Sequence, residues 1–571
     1  MIVAVYFLLW LPALFGWGSW IVFLRRMLAM PESHDVFDAV FGVATLSTVA
    51  IILNFWLPIT PSIVFGTMVI GWGLCLWRYR RDGIPVVLLS QIIVSVIIIL
   101  AIAFIASRMD YGYDAGFYHL PTIKWFAESA VPLGLVNLHG RFGFNASWLS
   151  LAALTRFEFA NSYFFGASAL LLSVCALTIL QAFYAMRSEE GWRASNIFLV
   201  LMTMAVTSWP LRVNVSSPGS DLPMLVLTLL ITHRMLRAFE QPRQATYYVC
   251  AITVLALFAL TIKYSAAPLV LMPLSLFVAT HRQHLPLHLK RLTFFVVIVS
   301  AILVLPWIAR GVMVSGCVVY PISSTCLPLQ WTAPSGLVET EITIIRSWAR
   351  LAGFPTDLTL IGWGWVLPWL IEFLTSPDIM ILMPLLASGV VMLILARNYP
   401  RSLYLIGIAA PLMLGILFWF LSAPDVRFGA GYFWAITLSI LSVGIERTRE
   451  AGLTSAIYRA LRTIALSGIV LWVSTFAILI FALTGGANLF KVQSVSDLAW
   501  HLPDTPSPEL SIRFTQDDVM VYTPPDCWLA PMPCTPYFNN NLRVQPLADG
   551  RLMFWFDSYI LETSERFTRQ P

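Results

Sequence analysis

The chain has 571 residues, of which 58% are hydrophobic and 11% are charged, and its mean hydropathy is +0.78. Soluble domains contain about 25% charged residues, so this composition excludes a soluble protein with one anchor and indicates an integral membrane protein. The formal net charge of +5 is small and lies in short loops, where it bears on topology and gives no reason to expect nucleic-acid binding.

The chain begins with an apolar segment, residues 1–24, that has no basic n-region and no clear cleavage site. This pattern predicts a retained span and not a secretory signal. Apolar runs along the whole chain predict roughly 13–14 spans, on the criterion that about 20 residues cross a bilayer. The sequence therefore predicts an all-α polytopic membrane protein that uses the lipid bilayer as its solvent.

The basic residues between the apolar runs form clusters, and the positive-inside rule places all of them in the cytoplasm. The clusters lie at residues 25–26, 78–81, 187–193, 234–243, 281–291, 397–401 and 447–462. Three larger segments then fall outside, at residues 108–144, 311–361 and 485–571. The short tryptophan-rich segment 361–374 fits this alternation only as an interfacial or re-entrant helix.

The first outer segment begins where the apolar run 84–106 ends, and it presents Asp110, Asp114 and His119 among aromatic residues. Two carboxylates and an imidazole at a membrane surface are suited to proton transfer or cation binding. Ala115 and Gly116, which follow Asp114, are small and are expected to leave space for a ligand to approach. The alternative is that the segment is an ordinary solvated loop.

Two charged residues lie close to apolar runs further along the chain. Lys263 is near the outer end of one span, where an ammonium must face a polar cavity, find a partner or snorkel to the interface. Asp221 follows Ser216-Ser217-Pro218, a pattern typical of a helix N-terminus. Asp221 is expected either to cap that helix or to act directly in a site.

Three arginines are predicted on the outer face, against the usual charge bias. They are Arg141, Arg310 and Arg427, the last of which follows Asp425 in a short loop. A guanidinium in such a position suits a phosphate or a carboxylate. The alternative for Arg427 is a simple pair with Asp425.

The cysteines support the same sidedness, because four of the seven fall in outer segments as close pairs. We predict the disulfides Cys317–Cys326 and Cys527–Cys534 in an oxidising compartment. Free thiols or a zinc site are the alternatives, but the spacing lacks a CxxC pattern. The outer tail, residues 485–571, is turn-rich with short β-like runs such as those at residues 519–522 and 552–556. It is predicted to form a small outer C-terminal domain, α+β or β, beside a membrane domain of residues 1–484.

Short stretches of the chain resemble the GT-C superfamily of membrane glycosyltransferases, and more narrowly a family of bacterial multi-spanning proteins grouped with it. The matching stretches are residues 113–119, 143–148, 315–321, 424–429 and 527–537. The resemblance implies a GT-C-like helical bundle and a polyprenyl-phosphate-linked sugar as donor. It also implies a catalytic carboxylate in the first large outer loop, which falls on Asp114 with Asp110 as second choice. The sequence departs from the superfamily in position, since about four spans precede this loop.

The leading hypothesis is a glycosyltransferase of a bacterial inner membrane that moves a sugar to a glycan, lipid or protein acceptor on the periplasmic face. The residues expected in its site have three roles. The expected catalytic residues are Asp114 as general base, Asp110 as second choice, and His119. The donor phosphate is expected to be bound by Arg310, Arg427 and Lys263, with Arg141 next. The substrate is expected to contact Tyr113, Tyr118, Asn145, Asp221 and Asp425, and Trp125 to stack on a sugar. No cofactor or metal site is predicted, although Asp110 and Asp114 leave a divalent cation open.

Two other functions remain as alternatives. A secondary transporter would use Lys263 and Asp221 as coupling or substrate residues near the bilayer midplane. A polymerase or ligase of lipid-linked oligosaccharides would share the partners but depend more on arginines than on a carboxylate base. The discriminating observation is whether Asp114 and Arg427 converge at one outer site.

Overall fold

The computed structural model describes residues 2–28, 35–83, 88–108, 114–159, 162–206, 215–280, 285–354, 356–395, 402–450 and 505–559, and within them the chain is mostly helical, as predicted. The first helices are α1 (Ile2–Trp17), α2 (Trp20–Met27), α3 (Asp38–Asn54), α4 (Pro61–Asp82), α5 (Leu89–Arg108), α6 (Leu120–Glu128), α7 (Ser147–Leu154), α8 (Ala167–Ala185) and α9 (Ala194–Val206). The later helices are α10 (Asp221–Glu240), α11 (Ala245–Ile262), α12 (Leu271–Thr280), α13 (Leu285–Ser315), α14 (Ser335–Arg350), α15 (Thr356–Leu360), α16 (Val366–Thr375), α17 (Pro377–Leu395), α18 (Ser402–Ser422) and α19 (Val426–Glu450). The strands are β1 (Phe157–Phe159), β2 (Ser162–Phe164), β3 (Ile512–Phe514), β4 (Met520–Tyr522), β5 (Leu542–Pro546) and β6 (Leu552–Phe556).

Ten helical segments among the described residues are long and apolar enough to cross a membrane, from Val3–Met27 to Val426–Glu450. Shorter apolar helices are Asp38–Asn54, Ala194–Val206, Tyr264–Thr280 and Val366–Thr375. This architecture is consistent with a multi-pass membrane protein. The larger number of roughly 13–14 spans stays a prediction, because the search covers the described part of the chain alone.

The helices α10 and α11 lie at the centre of the bundle. The spans that contain them are 94% and 89% buried, as expected for helices that are apolar all round. The spans of α5 and α13 lie at the periphery and are only 17% buried. Their outward faces carry exposed apolar side chains such as Ile97 and Phe294, which suit contact with lipid.

One end of the bundle collects basic side chains from distant parts of the chain. Arg25 and Arg78 both donate hydrogen bonds to the fully buried carboxylate of Asp38. Arg234, near the C-terminal end of α10, lies 2.7 Å from Asp35. A buried carboxylate needs such partners, because an isolated charge is costly away from water.

Further ion pairs extend this basic end. Arg193 lies 3.9 Å from Glu446, near the C-terminal end of α19, and Arg449 pairs with Glu189. Ser195 donates to Glu240 at the last residue of α10. Five of the basic clusters that the positive-inside rule assigns to one side therefore meet near the C-terminal ends of α10 and α19. They are the clusters at residues 25–26, 78–81, 187–193, 234–243 and 447–462.

The tryptophan-rich segment contains α16, which has ten residues and is too short to span a bilayer. Trp369 is buried against Trp419, with ring centroids 5.8 Å apart, while Leu367 of the same helix is exposed. A short apolar helix with one packed face and one exposed face fits the interfacial helix that the sequence predicts.

The predicted disulfides Cys317–Cys326 and Cys527–Cys534 are both present, which confirms the pairing. After α19, the described residues contain two antiparallel hairpins, β3–β4 and β5–β6. The β-like runs predicted at 519–522 and 552–556 match β4 and β6.

The C-terminal hairpins pack on the segment that precedes α7. Val521, Val544 and Phe554 share one apolar core with Val131 and Phe142. The predicted domain boundary between residues 484 and 485 lies outside the described residues. The C-terminal segment and the first large loop are therefore joined by a shared core.

Candidate functional site

Asp114 and His119 are separated by one short turn. Asp114 immediately precedes the π-helix Ala115–His119, which leads directly into α6, and its side chain makes no capping hydrogen bond there. Single π-turns are frequent at functional sites, because the extra residue redirects side chains. The side chain of Asp114 is 39% exposed, whereas His119 is buried. The turn thus presents a carboxylate to solvent next to a buried imidazole.

Asp425 and Arg427 lie at the start of α19, where two tryptophans hold the chain. The indole N–H groups of Trp369 and Trp419 donate to the carbonyls of Pro424 and Asp425 at 2.7 and 2.6 Å. Arg427 Nε donates to Asp425 Oδ2 at 3.1 Å, so these two residues do pair. Neither Nη atom of Arg427 forms a hydrogen bond within the described residues, which leaves both for further contacts.

Lys263 and Asp221 lie at the facing ends of the two central helices. Lys263 follows the last residue of α11 and Asp221 is the first residue of α10. The ammonium donates to Asp221 Oδ1 at 2.6 Å and lies 3.7 Å from the ring centroid of Phe428. Lys263 is therefore both paired and in contact with an aromatic face, as the cost of an ammonium near the hydrocarbon requires.

These charged groups form one site, which we call the acidic cluster: Asp114, Asp221, Asp425, Lys263 and Arg427. Arg427 Nη1 lies 3.8 Å from Asp114 Oδ2 and 4.0 Å from Asp221 Oδ2. Both distances are ion-pair distances and are too long for hydrogen bonds. Three carboxylates against two cations give the cluster a formal net charge of one negative unit.

His119 and Tyr118 adjoin the acidic cluster, with ring centroids 4.3 Å apart. Burial lowers the pKa of His119 and outweighs the carboxylates of Asp114 and Asp221, which raise it, while Lys263 and Arg427 lower it by less. The imidazole is therefore neutral near pH 7. Its Nδ1 has no hydrogen-bond partner within the described residues. Burial, helped by the Asp114 carboxylate, raises the pKa of Tyr118, so the phenol keeps its proton.

Arg310 lies in a different group of contacts. Its Nη1 donates to Asn145 Oδ1 at 2.6 Å, and the guanidinium carbon lies 4.1 Å from the ring centroid of Phe126. The indole N–H of Trp307 donates to the Asn145 carbonyl at 2.7 Å. Arg310 is 2% exposed, and no carboxylate within the described residues pairs with it. The structure therefore does not bring Arg310 into contact with the acidic cluster, and its expected phosphate role stays a prediction.

Arg141 is already engaged by a carboxylate. Its Nε lies 3.3 Å from Glu341 Oε2 on α14. The guanidinium remains close enough to lower the pKa of Tyr118, against the larger effect of burial. Arg141 thus lies beside the acidic cluster and not within it.

Two expectations about the first loop need correction. The sequence suggests that Gly116 leaves space for a ligand, but the Trp528 indole fills it, since a Cβ at Gly116 would lie 2.2 Å from Trp528 Cε2. Trp125, expected to stack on a sugar, is buried against Phe554 with ring centroids 5.9 Å apart. Packing of the C-terminal segment is the reason in both cases. Asp110 and Tyr113 lie outside the described residues.

The described residues contain no group of three or more His, Cys, Asp or Glu side chains arranged to hold a metal ion. In the acidic cluster, Lys263 and Arg427 occupy the space between the carboxylates. The arrangement suits exchange of ion pairs and proton transfer.

Sequence reasoning missed Trp528, Lys124 and Glu341. Lys124 donates to the carbonyls of Leu529 and Ala530, and Trp528 covers the turn after Asp114. The position of Trp528 next to Cys527, within one of the matching stretches, is the signal that could have found it. Lys124 and Glu341 have no comparable local signal.

Comparison with known proteins identifies the family. A model of the domain family of unknown function DUF8201 matches residues 1–434, and the chain belongs to this family. Neither the curated proteins nor the solved structures give a match. The match includes every member of the acidic cluster and ends before the C-terminal hairpins.

Proposed function

We propose that the protein is a membrane glycosyltransferase that moves a sugar from a polyprenyl-phosphate donor to an acceptor hydroxyl on the outer face of the membrane. The convergence of Asp114 and Arg427, with Nη1 and Oδ2 3.8 Å apart, carries the proposal. These residues come from opposite halves of the chain, and both side chains are about 40% exposed, at 39% and 44%. A solvent-accessible carboxylate beside a guanidinium suits a reaction that removes a proton and releases a phosphate.

The ends of the long helices support the outer location. Arg427 and Arg449 lie near opposite ends of α19, about 33 Å apart at 1.5 Å per residue, which is close to the thickness of a bilayer core. Arg449 belongs to the basic end, which the positive-inside rule assigns to the cytoplasm. The acidic cluster then faces the opposite compartment, the one in which disulfides persist.

In the proposed reaction, Asp114 acts as the general base. Its carboxylate accepts the proton of the acceptor hydroxyl while the acceptor oxygen forms a bond to the anomeric carbon of the sugar. The bond between that carbon and the phosphate oxygen breaks, and its electron pair leaves with the lipid phosphate. Neutral His119, at the other end of the same turn, is the group that we propose accepts a proton from Asp114.

Arg427 is the best-placed group for the departing phosphate. Its Nε is held by Asp425, while Nη1 faces two carboxylates at distances that a phosphate oxygen could improve. Binding of the anion would exchange the Arg427–Asp114 pair for an Arg427–phosphate pair, which frees Asp114 to act as base. Lys263 would support the same anion from the base of the cluster.

The geometry also bears on the rival functions. Lys263 and Asp221 lie at helix ends, one span away from the basic end, whereas a transporter site is expected near the midplane. Their position therefore favours a transferase. The excess of carboxylates over cations in the cluster favours a carboxylate base over an arginine-dependent polymerase or ligase.

The decisive experiment is transfer by the purified full-length chain in lipid nanodiscs with radiolabelled polyprenyl-phosphate sugars, followed by thin-layer chromatography. Product is expected with at least one donor and acceptor pair. Asp114→Asn should reduce turnover by about 10²–10⁴-fold, the usual contribution of a general base. The matched control is Asp549→Asn, an exposed carboxylate paired with Arg551 in the C-terminal segment, which should leave turnover unchanged.

Binding of the polyprenyl-phosphate sugar to the purified protein provides a second, independent measurement. Arg427→Gln should weaken retention of the polyprenyl-phosphate sugar, whereas Asp114→Asn should retain it, because the two residues have different roles. Equal turnover in the Asp114→Asn and wild-type proteins would overturn the assignment of the base. Absence of donor binding by the wild-type chain across the common sugars would count against a transferase.

A further inference from the structure

The disulfide loop Cys527–Cys534 lies directly on the turn that carries Asp114. The backbone N–H of Trp528 donates to the Gly116 carbonyl at 2.8 Å. Three atoms of its indole would lie 2.2–2.6 Å from a Cβ at Gly116, so only glycine allows the ring to seat there. The backbone of Trp528 itself has φ of 45°, an uncommon left-handed conformation for a bulky residue. The contact is therefore close and sterically demanding on both sides.

A half-buried ammonium, that of Lys124, holds the same loop from α6. Lys124 Nζ donates to the Leu529 carbonyl at 2.9 Å and to the Ala530 carbonyl at 2.7 Å. The Lys124 side chain is 17% exposed and also lies 3.5 Å from Glu128. Charge-assisted bonds to two successive carbonyls fix the loop at a point one helical turn beyond His119.

Other residues of the C-terminal segment hold the disulfide loop in place through backbone hydrogen bonds. Tyr522 of β4 exchanges backbone hydrogen bonds with Pro533 and Thr535 on either side of Cys534. In β6, Phe554 donates to the Leu133 carbonyl at 2.9 Å. Contacts before and after the disulfide loop therefore hold it against the first large loop.

We propose that Trp528 is a positioning residue, which holds the Asp114–His119 turn in its active geometry through Gly116, and that the Cys527–Cys534 disulfide holds Trp528 in place. The inference rests on the proposed function for its consequence in turnover. The mechanical link itself is independent of that function. The C-terminal segment is thus part of the site, although it contributes no group to the acidic cluster.

Hydrogen exchange of the full-length chain in nanodiscs, measured by mass spectrometry, tests the link without any substrate. In Trp528→Ala, the amides of residues 115–120 should exchange roughly tenfold faster, because local opening there loses its cover. Gly116→Ala should have a similar effect, since its Cβ must displace the indole. Trp528→Phe keeps a ring on Gly116 and should restore most of the protection.

A double-mutant cycle isolates the contact. Once the indole is absent, Gly116→Ala should add little, so the effects of Gly116→Ala and Trp528→Ala should be strongly non-additive. Additive effects would overturn the proposal, because they would show that the two residues stabilise the turn separately.

The two disulfides supply a matched control. Removing Cys527–Cys534 by a paired serine substitution should speed exchange at residues 115–120, whereas removing Cys317–Cys326 in the same way should not. Equal acceleration by both variants would indicate general loosening and would contradict a specific role for the loop.

Steady-state kinetics of sugar transfer provide the final test. Trp528→Ala should lower kcat at least tenfold while the donor KM changes less than twofold, and Trp528→Phe should recover most of the rate. A change confined to KM would instead make Trp528 a binding residue and overturn the positioning role. If the wild-type chain transfers no sugar, the exchange arms still decide whether Trp528 holds the turn, so failure of the two proposals is distinguishable.

Discussion

Lys263 and Asp221 form an ion pair of 2.6 Å between the C-terminal end of α11 and the N-terminal end of α10. Neither residue is fully buried, with side-chain exposures of 24% and 18%. The pair joins the two most buried spans of the bundle at the end that carries the acidic cluster. It therefore links the stability of the central helices to the geometry of the candidate site.

The first prediction concerns this pair. Lys263→Met should destabilise the protein by about 2 kcal/mol, less than the loss of a fully buried partner, because it leaves Asp221 without its closest cation. Adding Asp221→Asn should recover part of the loss, and thermal unfolding in detergent measures both. Fully additive losses would show that the two residues act apart. The exposed pair Arg551–Asp549 is the control, and its neutralisation should have no measurable effect.

Asp114 and Asp110 should differ in their effect on transfer. Asp114→Asn is expected to remove most of the turnover, because the amide keeps the shape of the side chain but cannot accept the proton. Asp110→Asn should retain a much larger share, since Asp114 lies 3.8 Å from Arg427 within the acidic cluster. Initial rates at saturating donor compare the two variants. A greater loss in Asp110→Asn would move the base to the earlier position.

His119 should make stability depend on pH. Its pKa is lowered in the folded protein by burial, so the unfolded chain binds more protons between that value and about 6.5. The free energy of unfolding should therefore fall as the pH drops below about 6.5 and be unaffected by this group at higher pH. Chemical unfolding of wild type and His119→Gln from pH 5 to 8 measures the difference. A pH slope that His119→Gln leaves unchanged would assign the effect elsewhere.

Asp38 should be among the most sensitive positions at the basic end. Its fully buried carboxylate accepts from Arg25 and Arg78, so Asp38→Asn leaves two buried guanidinium groups short of their counter-ion. A loss of about 3–5 kcal/mol is expected, the usual result of breaking a buried ion pair. Glu189→Gln, which removes a 93% exposed partner of Arg449, should change little. Thermal unfolding of the two variants gives the comparison.

Sidedness can be tested on intact cells. A cysteine at Ser188, which is exposed near the basic end, should react with a membrane-impermeant maleimide only after the membrane that holds the protein is permeabilised. A cysteine at Asp549 in the C-terminal segment should react once the outer compartment is accessible. The cysteines Cys75, Cys175 and Cys250 are buried and should give a low background. The reverse pattern would invert the proposed topology.

Several features follow from the sequence alone because local chemistry determines them. Long apolar runs form helices, since a membrane leaves backbone groups no partner outside the segment. The close spacing of Cys317 with Cys326, and of Cys527 with Cys534, makes each partner the nearest available thiol. The polar interruption at residues 216–220 predicts a helix start between two apolar runs, and α10 begins at Asp221, three residues after Pro218. In each case the residues that decide the outcome are neighbours in the chain.

The tertiary structure decided the rest, because the partners are far apart in sequence. Arg427 lies 313 positions after Asp114, and only the packing of α19 beside α10 brings it close to both Asp114 and Asp221. Packing also separates Arg310, which the same sequence argument had grouped with Arg427, by directing it toward Asn145. Trp528 seats on Gly116 across a still longer interval, for the same reason. A charge near an apolar run shows that a partner is needed, and the fold determines which partner it finds.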